Sequence, residues 1–281
     1  MPLVTMKEIL ERAEQSGYGV GSFSVVSAEM VRGAIRAAEE TNSPIILQIA
    51  EVRLKHAPLD LMGPVMVAAA EHARVPVAVH LDHGLRLDTI KQALDLGFTS
   101  VMFDGSHLPL EQNIAKTNEV IRIANTYGAS VEGEIGRVGG SEDNSEDIEM
   151  LITSVKEAKE FFESTGVDAM AIAIGNVHGV YKSEPKLQFE RLQEIKKIIK
   201  NPLVLHGGSG LTVVDFRNCI KYGIKKINVQ TATLNKVVER VKSLLARNPE
   251  VDYFTYHDCI VDSACECVKS HIEAFQSYNQ A

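Results

Sequence analysis

A chain of 281 residues with 45% hydrophobic and 23% charged residues has room for a sizeable core, in one large α/β domain or two smaller ones, and its composition excludes a disordered protein. A formal net charge of -8 with no basic cluster argues against a nucleic-acid or anionic-membrane partner. No apolar run approaches the ~20 residues of a membrane span, and the first 17 residues lack the apolar stretch of about 7–15 residues that a signal peptide needs. None of the four cysteines (Cys219, Cys259, Cys265 and Cys267) forms a CxxC pair, so they read as reduced thiols of a cytoplasmic protein and not as a structural zinc site.

The N-terminal segment reads as a charged helix, and Gly19–Val26 as the first strand. Ala28–Thr41 is an amphipathic helix with Met30, Ala34, Ile35 and Ala38 on one face. The apolar strand Pro44–Ala50, the helix Leu59–Arg74 and the strand Val77–Asp82 follow. A helix over Leu87–Leu96, ended by Gly97, leads to a strand at Thr99–Asp104. A long helix over Leu110–Tyr127, ended by Gly128, leads to a strand at Ser130–Glu134. Gly136–Glu149 is a polar loop, long enough to be either functional or a floppy surface segment. Helices at Ser154–Ser164, Leu187–Lys200, Val213–Tyr222 and Ala232–Asn248 then alternate with strands at Asp168–Ile174, Pro202–His206 and Lys225–Val229. A last helix covers about Cys259–Gln276.

Eight short apolar strands alternating with helices argue for a parallel sheet covered by helices. Eight such units in about 250 residues is the size of a (β/α)8 TIM barrel, here with an N-terminal and an extra C-terminal helix. No linker divides the chain, so residues 1–281 read as one domain. In an open nucleotide-binding sheet the Gly-rich turn would follow the first strand, whereas here it comes late.

In a barrel the C-terminal strand ends converge on one face, and chemistry gathers there. The stretch VHLDHG, Val79–Gly84, ends an apolar strand in titratable residues; its plain alternative is a capped strand end, with Asp82 near the start of the next helix. Other strand ends offer Asp104, Glu132 with Glu134, and Asn228. His83, His178 and His206 lie at three strand ends, each followed by glycine. Three neutral imidazoles with an open position suit a catalytic zinc ion, although a single histidine would more often be structural. His80 reads as a hydrogen-bonded residue inside the barrel. The turn HGGSG, His206–Gly210, next to KINVQT, Lys226–Thr231, lies where many barrels hold a phosphate; its plain alternative is an ordinary tight turn. No lysine occupies an obvious interior strand position for a Schiff base, Lys225 and Lys226 being the nearest.

HLDHG, MFDGSH, EGEIGRVGG with SED, GNVHG, LHGGSG and KINV resemble the class II, zinc-dependent ketose-bisphosphate aldolases, which include fructose-bisphosphate and tagatose-bisphosphate aldolases. The resemblance runs from about Gly19 to Val241. It implies reversible aldol cleavage of a ketose phosphate to dihydroxyacetone phosphate and an aldehyde. It also implies that His83, His178 and His206 are the zinc ligands, and that Asp82 is the acid/base at the aldehyde-derived oxygen. Asp104 and Glu134 resemble a second metal position, and Glu142, on a mobile loop, resembles the base that takes the donor's proton. Gly179, Gly207, Gly208, Ser209 and Asn228, Val229, Gln230 and Thr231 resemble the donor-phosphate site, often with a Na+ or K+ ion beside it. The family suggests a homodimer or homotetramer.

Several positions depart from the family pattern. The first strand ends in Phe23–Ser24 where an asparagine is usual, the second reads Gln48–Ile49–Ala50 where a serine is usual, and Val251–Val268 contains no Arg or Lys for a second phosphate. These changes fall where the aldehyde half should bind. Arg53 can supply the missing cation at the far end of the substrate, or form a surface salt bridge with Glu51 or Asp60. Two other readings remain open: a metal-dependent sugar-phosphate epimerase or isomerase using Asp82 and Glu142 as a two-base pair, and a non-catalytic phosphosugar-binding subunit.

Overall fold

The structure, a computed structural model, describes residues 2–140, 149–179 and 185–281. The strands are β1 (Val20–Ser24), β2 (Ile45–Ala50), β3 (Val77–Gly84), β4 (Ser100–Phe103), β5 (Ser130–Ile135), β6 (Gly139–Gly140), β7 (Ala169–Ile172), β8 (Val177–His178), β9 (Leu203–Leu205) and β10 (Ile224–Val229). Eight of them close into a parallel barrel in the order β1-β10-β9-β7-β5-β4-β3-β2, the TIM-barrel architecture expected from the alternating elements. The remaining two, β6 and β8, pair with each other in parallel above the barrel.

The helices are α1 (Met6–Ser16), α2 (Ala28–Glu40), α3 (Leu59–His72), α4 (Leu87–Asp95), α5 (Leu110–Tyr127), α6 (Val155–Thr165), α7 (Phe189–Ile198), α8 (Val213–Lys221), α9 (Thr231–Arg247) and α10 (Tyr253–Ala274). The last begins six residues before the expected start at Cys259. Asp252 caps it, its Oδ1 accepting from the N–H groups of Phe254 and Thr255, a signal that the acidic VDYF segment carries but that hydrophobic periodicity does not. α10 packs against α2 and α9. At Gly33 the approach is so close that a Cβ would stand 2.6 Å from the Val261 carbonyl oxygen.

Side chains alternate across each strand, so two cores form. Outward residues such as Phe23, Leu47, Val79, Val101 and Val131 pack under the surrounding helices. Inward residues at the N-terminal end, Val20, Ile46, Ala78, Ala169, Ala171 and Val204, meet Met6, Ile9 and Leu10 of α1. That helix starts from a capping box between Thr5 and Glu8 and closes the bottom of the barrel. Two residues further along the strands the interior becomes polar: Ser22 follows Val20, Gln48 follows Ile46, and His80 follows Ala78. The apolar plug sits below and the polar residues line the C-terminal mouth.

Candidate metal and phosphate site

β3 carries Asp82 and His83 at its end. His83 adopts φ 46°, a left-handed conformation that few non-glycine residues take and that turns its ring into the mouth. The adjoining Gly84 is needed sterically, because a Cβ would stand 2.5 Å from the Met102 carbonyl oxygen. Asp82 is not a helix cap, since the residue preceding α4 is Arg86. Asp104 follows β4, Glu132 and Glu134 project inward from β5, His206 follows β9, and Asn228 projects from β10.

His178 belongs to β8, whose register sets Gly140 opposite His178. The start of the polar loop is therefore ordered: Gly139–Gly140 pairs with Val177–His178, and Arg137 exchanges two backbone hydrogen bonds with Leu151, 2.8 and 2.9 Å. Gly140, at φ 82°, allows this contact, because a Cβ there would lie 2.4 Å from the His178 carbonyl oxygen. Glu142 lies outside the described residues.

The structure brings the three expected histidines together. Ring centroids are 4.5 Å apart for His83 and His206, 5.1 Å for His83 and His178, and 5.8 Å for His178 and His206. One nitrogen from each falls within 4.8 Å of the others, and the same holds for a second set made of His83, Asp104 and Glu134. His206 Nε2 is 2.8 Å from Glu132 Oε1, and His83 Nδ1 is 2.7 Å from Asp104 Oδ2. A carboxylate accepts and cannot donate, so each outward nitrogen carries its proton toward its carboxylate. The lone pairs of His206 Nδ1 and His83 Nε2 are thereby turned toward each other, 2.8 Å apart. Two facing lone pairs repel unless a cation lies between them.

The electrostatics point the same way. Burial, followed by the neighbouring imidazoles, pushes the pKa values of His178 and His206 well below the ordinary histidine value. Burial, followed by the Asp104 charge, pushes Glu134 well above the carboxylate range. Burial also acts to raise Asp104, but hydrogen bonds from His83 and Ser106 hold it below its usual value. Among the described residues Glu134 Oε2 is buried without a hydrogen-bond donor. Neutral imidazoles, facing lone pairs and an orphaned carboxylate oxygen together fit a divalent cation such as zinc.

Beside this cluster, Asp82 is clamped by two amides. Asn228 Nδ2 donates to its Oδ1 (3.0 Å) and Gln48 Nε2 donates to its Oδ2 (2.9 Å). Gln48 is itself set by β1: Ser22 Oγ donates to Gln48 Oε1, and Gln48 Nε2 also donates to Ser24 Oγ at 3.0 Å. Ser24 and Gln48 thus lie in the mouth, and Ser24 touches the same amide that holds Asp82.

A cleft runs from Asp82 and His178 to Gly179, Gly207, Ser209, Gln230 and Thr231. α9 begins at Thr231, so its positive N-terminal end faces this cleft. Ser209 Oγ accepts from the Ala232 N–H at 3.0 Å, which binds the Gly-rich turn to the helix start. Gly207, at φ 64°, would place a Cβ 2.1 Å from the Val177 carbonyl oxygen, and Gly208 N donates to the Asn228 carbonyl at 3.1 Å. The Val229 side chain points away from the cleft into the outer core, leaving only its backbone to contribute. Arg53 lies in the turn after β2; Glu51 meets Arg86 Nε (2.8 Å), Leu85 N and Thr89 Oγ1.

One expectation is corrected. Lys226 is an interior residue, fully buried in the barrel, with Nζ 2.9 Å from Glu132 Oε2 and donating to Asn228 Oδ1 at 2.8 Å. The signal was present in the sequence, since Lys226 and Asn228 are two apart and so share the inward face of one strand. His80, also interior, meets Ser100 Oγ at 2.7 Å, and burial followed by the Lys226 charge holds its pKa well below the ordinary value. Asn176 was not singled out by its residue type; its Nδ2 donates to the His206 carbonyl oxygen at 3.0 Å and steadies that histidine's backbone.

Comparison with known proteins agrees with this geometry. The family model described as class-II fructose-bisphosphate aldolase matches residues 4–280. A fructose-bisphosphate aldolase of Staphylococcus aureus (strain Mu50 / ATCC 700699) is 40% identical over 285 residues, covering 100% of both chains. A sulfofructosephosphate aldolase of Alkalicoccus urumqiensis is also 40% identical over 285 residues, covering 100% of this chain and 99% of that one. Among solved structures, the YdjI aldolase from Escherichia coli K12 matches with a TM-score of 0.87 at 32% identity, covering 98% of each chain.

Proposed function

Because this chain belongs to the class-II fructose-bisphosphate aldolase family and is an aldolase, a carbon–carbon lyase of ketose phosphates, we propose that it cleaves a fructose- or tagatose-bisphosphate-like ketose reversibly to dihydroxyacetone phosphate and an aldehyde. The observation that carries this reading is the junction of a three-imidazole cluster, a clamped carboxylate and a helix N-terminus within one cleft.

His83, His178 and His206 hold a zinc ion, with Asp104 and Glu134 offering a second position. When bound, the ion acts as a Lewis acid toward the negative charge that develops on the donor half. Asp82 takes the proton from the C4 hydroxyl of the ketose. The C3–C4 bond then breaks, C4 becomes the aldehyde carbonyl, and the bonding electrons remain on the donor half as an enediolate. Glu142 returns a proton to C3. Gly179, Gly207, Gly208, Ser209, the Asn228–Thr231 backbone and the start of α9 bind the donor phosphate, with Na+ or K+ as a further counter-ion.

The acceptor end is where the chain departs from the common pattern. Its relatives of equal identity include one named for a phosphosugar and one named for a sulfosugar, so overall similarity does not select the distal anion. Arg53 binds that anion. The whole chain acts as one barrel domain in the cytoplasm, a placement supported by free cysteines and by the lack of any described helix long and apolar enough to cross a membrane. Self-association as a dimer or tetramer is supported by Tyr253 and Phe254, 68% and 75% exposed at the start of α10.

The experiment needs only the donor. With the zinc-loaded protein and dihydroxyacetone phosphate in D2O, NMR should show stereospecific loss of one C3 proton signal, which stops with chelator and returns with zinc. A metal-replete sample without exchange rules out this donor.

A further inference from the structure

A lysine sealed inside a barrel needs an explanation, because a buried cation is retained only when acceptors surround it. Lys226 has two. Its ion pair with Glu132 Oε2 places a cation behind the carboxylate that orients His206, and its second donor reaches Asn228 Oδ1. Neutralising Glu132 would account for the first contact alone. The second anchors the far end of an amide whose near end, Nδ2, meets Asp82 Oδ1. The Lys226 ammonium itself stands 4.0 Å from Asp82 Oδ1, too far for a hydrogen bond, so its hold on Asp82 runs through Asn228.

We propose that Lys226 is a positioning residue for carbon–carbon bond cleavage: by anchoring Asn228 Oδ1 it keeps the Asn228 amide donating to Asp82, and so fixes the carboxylate that receives the C4 hydroxyl proton. The inference rests on the aldolase reading, with Asp82 in that role. Without the ammonium, Asn228 Oδ1 becomes a buried acceptor with no donor, and the side chain turns to find one. Asp82 then keeps only the Gln48 half of its clamp. Enolisation of the donor does not use Asp82, so the two half-reactions should separate.

The test uses Lys226→Met in a Glu132→Gln background, which removes the ion pair as a unit and leaves no buried unpaired charge. The K226M/E132Q protein should melt within about 5 °C of wild type and retain one zinc per chain by elemental analysis. Measured against Glu132→Gln alone, in which any effect of Glu132 on His206 is already present, its kcat for cleavage should fall about 10- to 100-fold with KM nearly unchanged, whereas C3 proton exchange into dihydroxyacetone phosphate should fall less than about threefold. Adding Asn228→Ala should cost K226M/E132Q no further kcat, the signature of two residues acting through one contact. A cleavage kcat in K226M/E132Q equal to that of E132Q, or losses that simply add with N228A, overturns the inference and leaves the aldolase reading standing. If K226M/E132Q fails to fold, Asn228→Ala alone leaves the Lys226–Glu132 pair in place and must show the same split between cleavage and exchange; unchanged cleavage in N228A overturns the inference. Wild-type protein lacking both exchange and cleavage removes the aldolase reading, and this inference with it.

Discussion

His83 Nε2 and His206 Nδ1 face each other across 2.8 Å with their other ring nitrogens committed to Asp104 and Glu132. Such an arrangement stores repulsion that a divalent cation relieves. Metal binding should therefore stabilise the fold as well as activate it, by about 3–4 kcal/mol at a free metal concentration 100 to 1,000 times Kd. Thermal melting with zinc and with chelator should differ by several degrees in wild type and by nothing in His83→Ala. Equal melting curves for wild type in both conditions would contradict the metal assignment.

Gly207 lies between the segments that carry His206 and His178, with a positive φ and no room for a side chain. The obstacle is the Val177 carbonyl oxygen, which is backbone and adjoins His178, so it cannot move aside cheaply. Gly207→Ala should lower stability by about 1–3 kcal/mol from the backbone strain alone. It should also raise KM for dihydroxyacetone phosphate by displacing the turn that leads to Ser209. Urea titration and donor kinetics check the two effects. A variant with wild-type stability would mean that the β8 pairing relaxes freely.

Much of this was legible in the sequence because a parallel barrel converts order into place. Apolar strands ending in His83 and His206 each announce a strand end, and strand ends meet at one mouth. What escaped notice was set by partners distant in sequence. Lys226 shares the inward face of β10 with Asn228, but Glu132, the carboxylate that makes a buried ammonium tenable there, is 94 positions away. The pairing of Gly139–Gly140 with Val177–His178 has too few residues to show any periodicity. The early start of α10 is carried by a single cap, Asp252, in a segment whose aromatic residues Tyr253 and Phe254 suggest no amphipathic pattern.

Arg53 is the candidate for the distal anion because it lies in the turn directly after β2, whose Gln48 holds Asp82 at the barrel mouth. Arg53→Ala should raise KM for an anionic acceptor aldehyde about tenfold while leaving KM for dihydroxyacetone phosphate unchanged, as expected for loss of one charge-assisted contact. Testing phosphorylated, sulfonated and neutral aldehydes side by side would show which anion the site takes. Unchanged acceptor kinetics across that panel would remove Arg53 from the binding site.

Cys219 offers a pH dependence independent of the metal cluster. Burial, with a smaller contribution from the Asp215 charge, pushes its thiol up to about 12. An unfolded cysteine titrates near 8.5. A raised folded pKa means that this contribution to stability is fully present below about 8.5 and is lost as pH climbs toward 12, because the unfolded chain gives up its proton first. The loss approaches about 1.4 kcal/mol per pH unit between those values. Urea midpoints measured from pH 8 to 10.5 should therefore fall more steeply in wild type than in Cys219→Ala, whose cavity lowers stability equally at every pH. In the native protein, half-exposed Cys259 should react with iodoacetamide well before Cys219. Parallel pH slopes in the two proteins, or rapid labelling of Cys219, would show that α8 opens readily enough to expose the thiol.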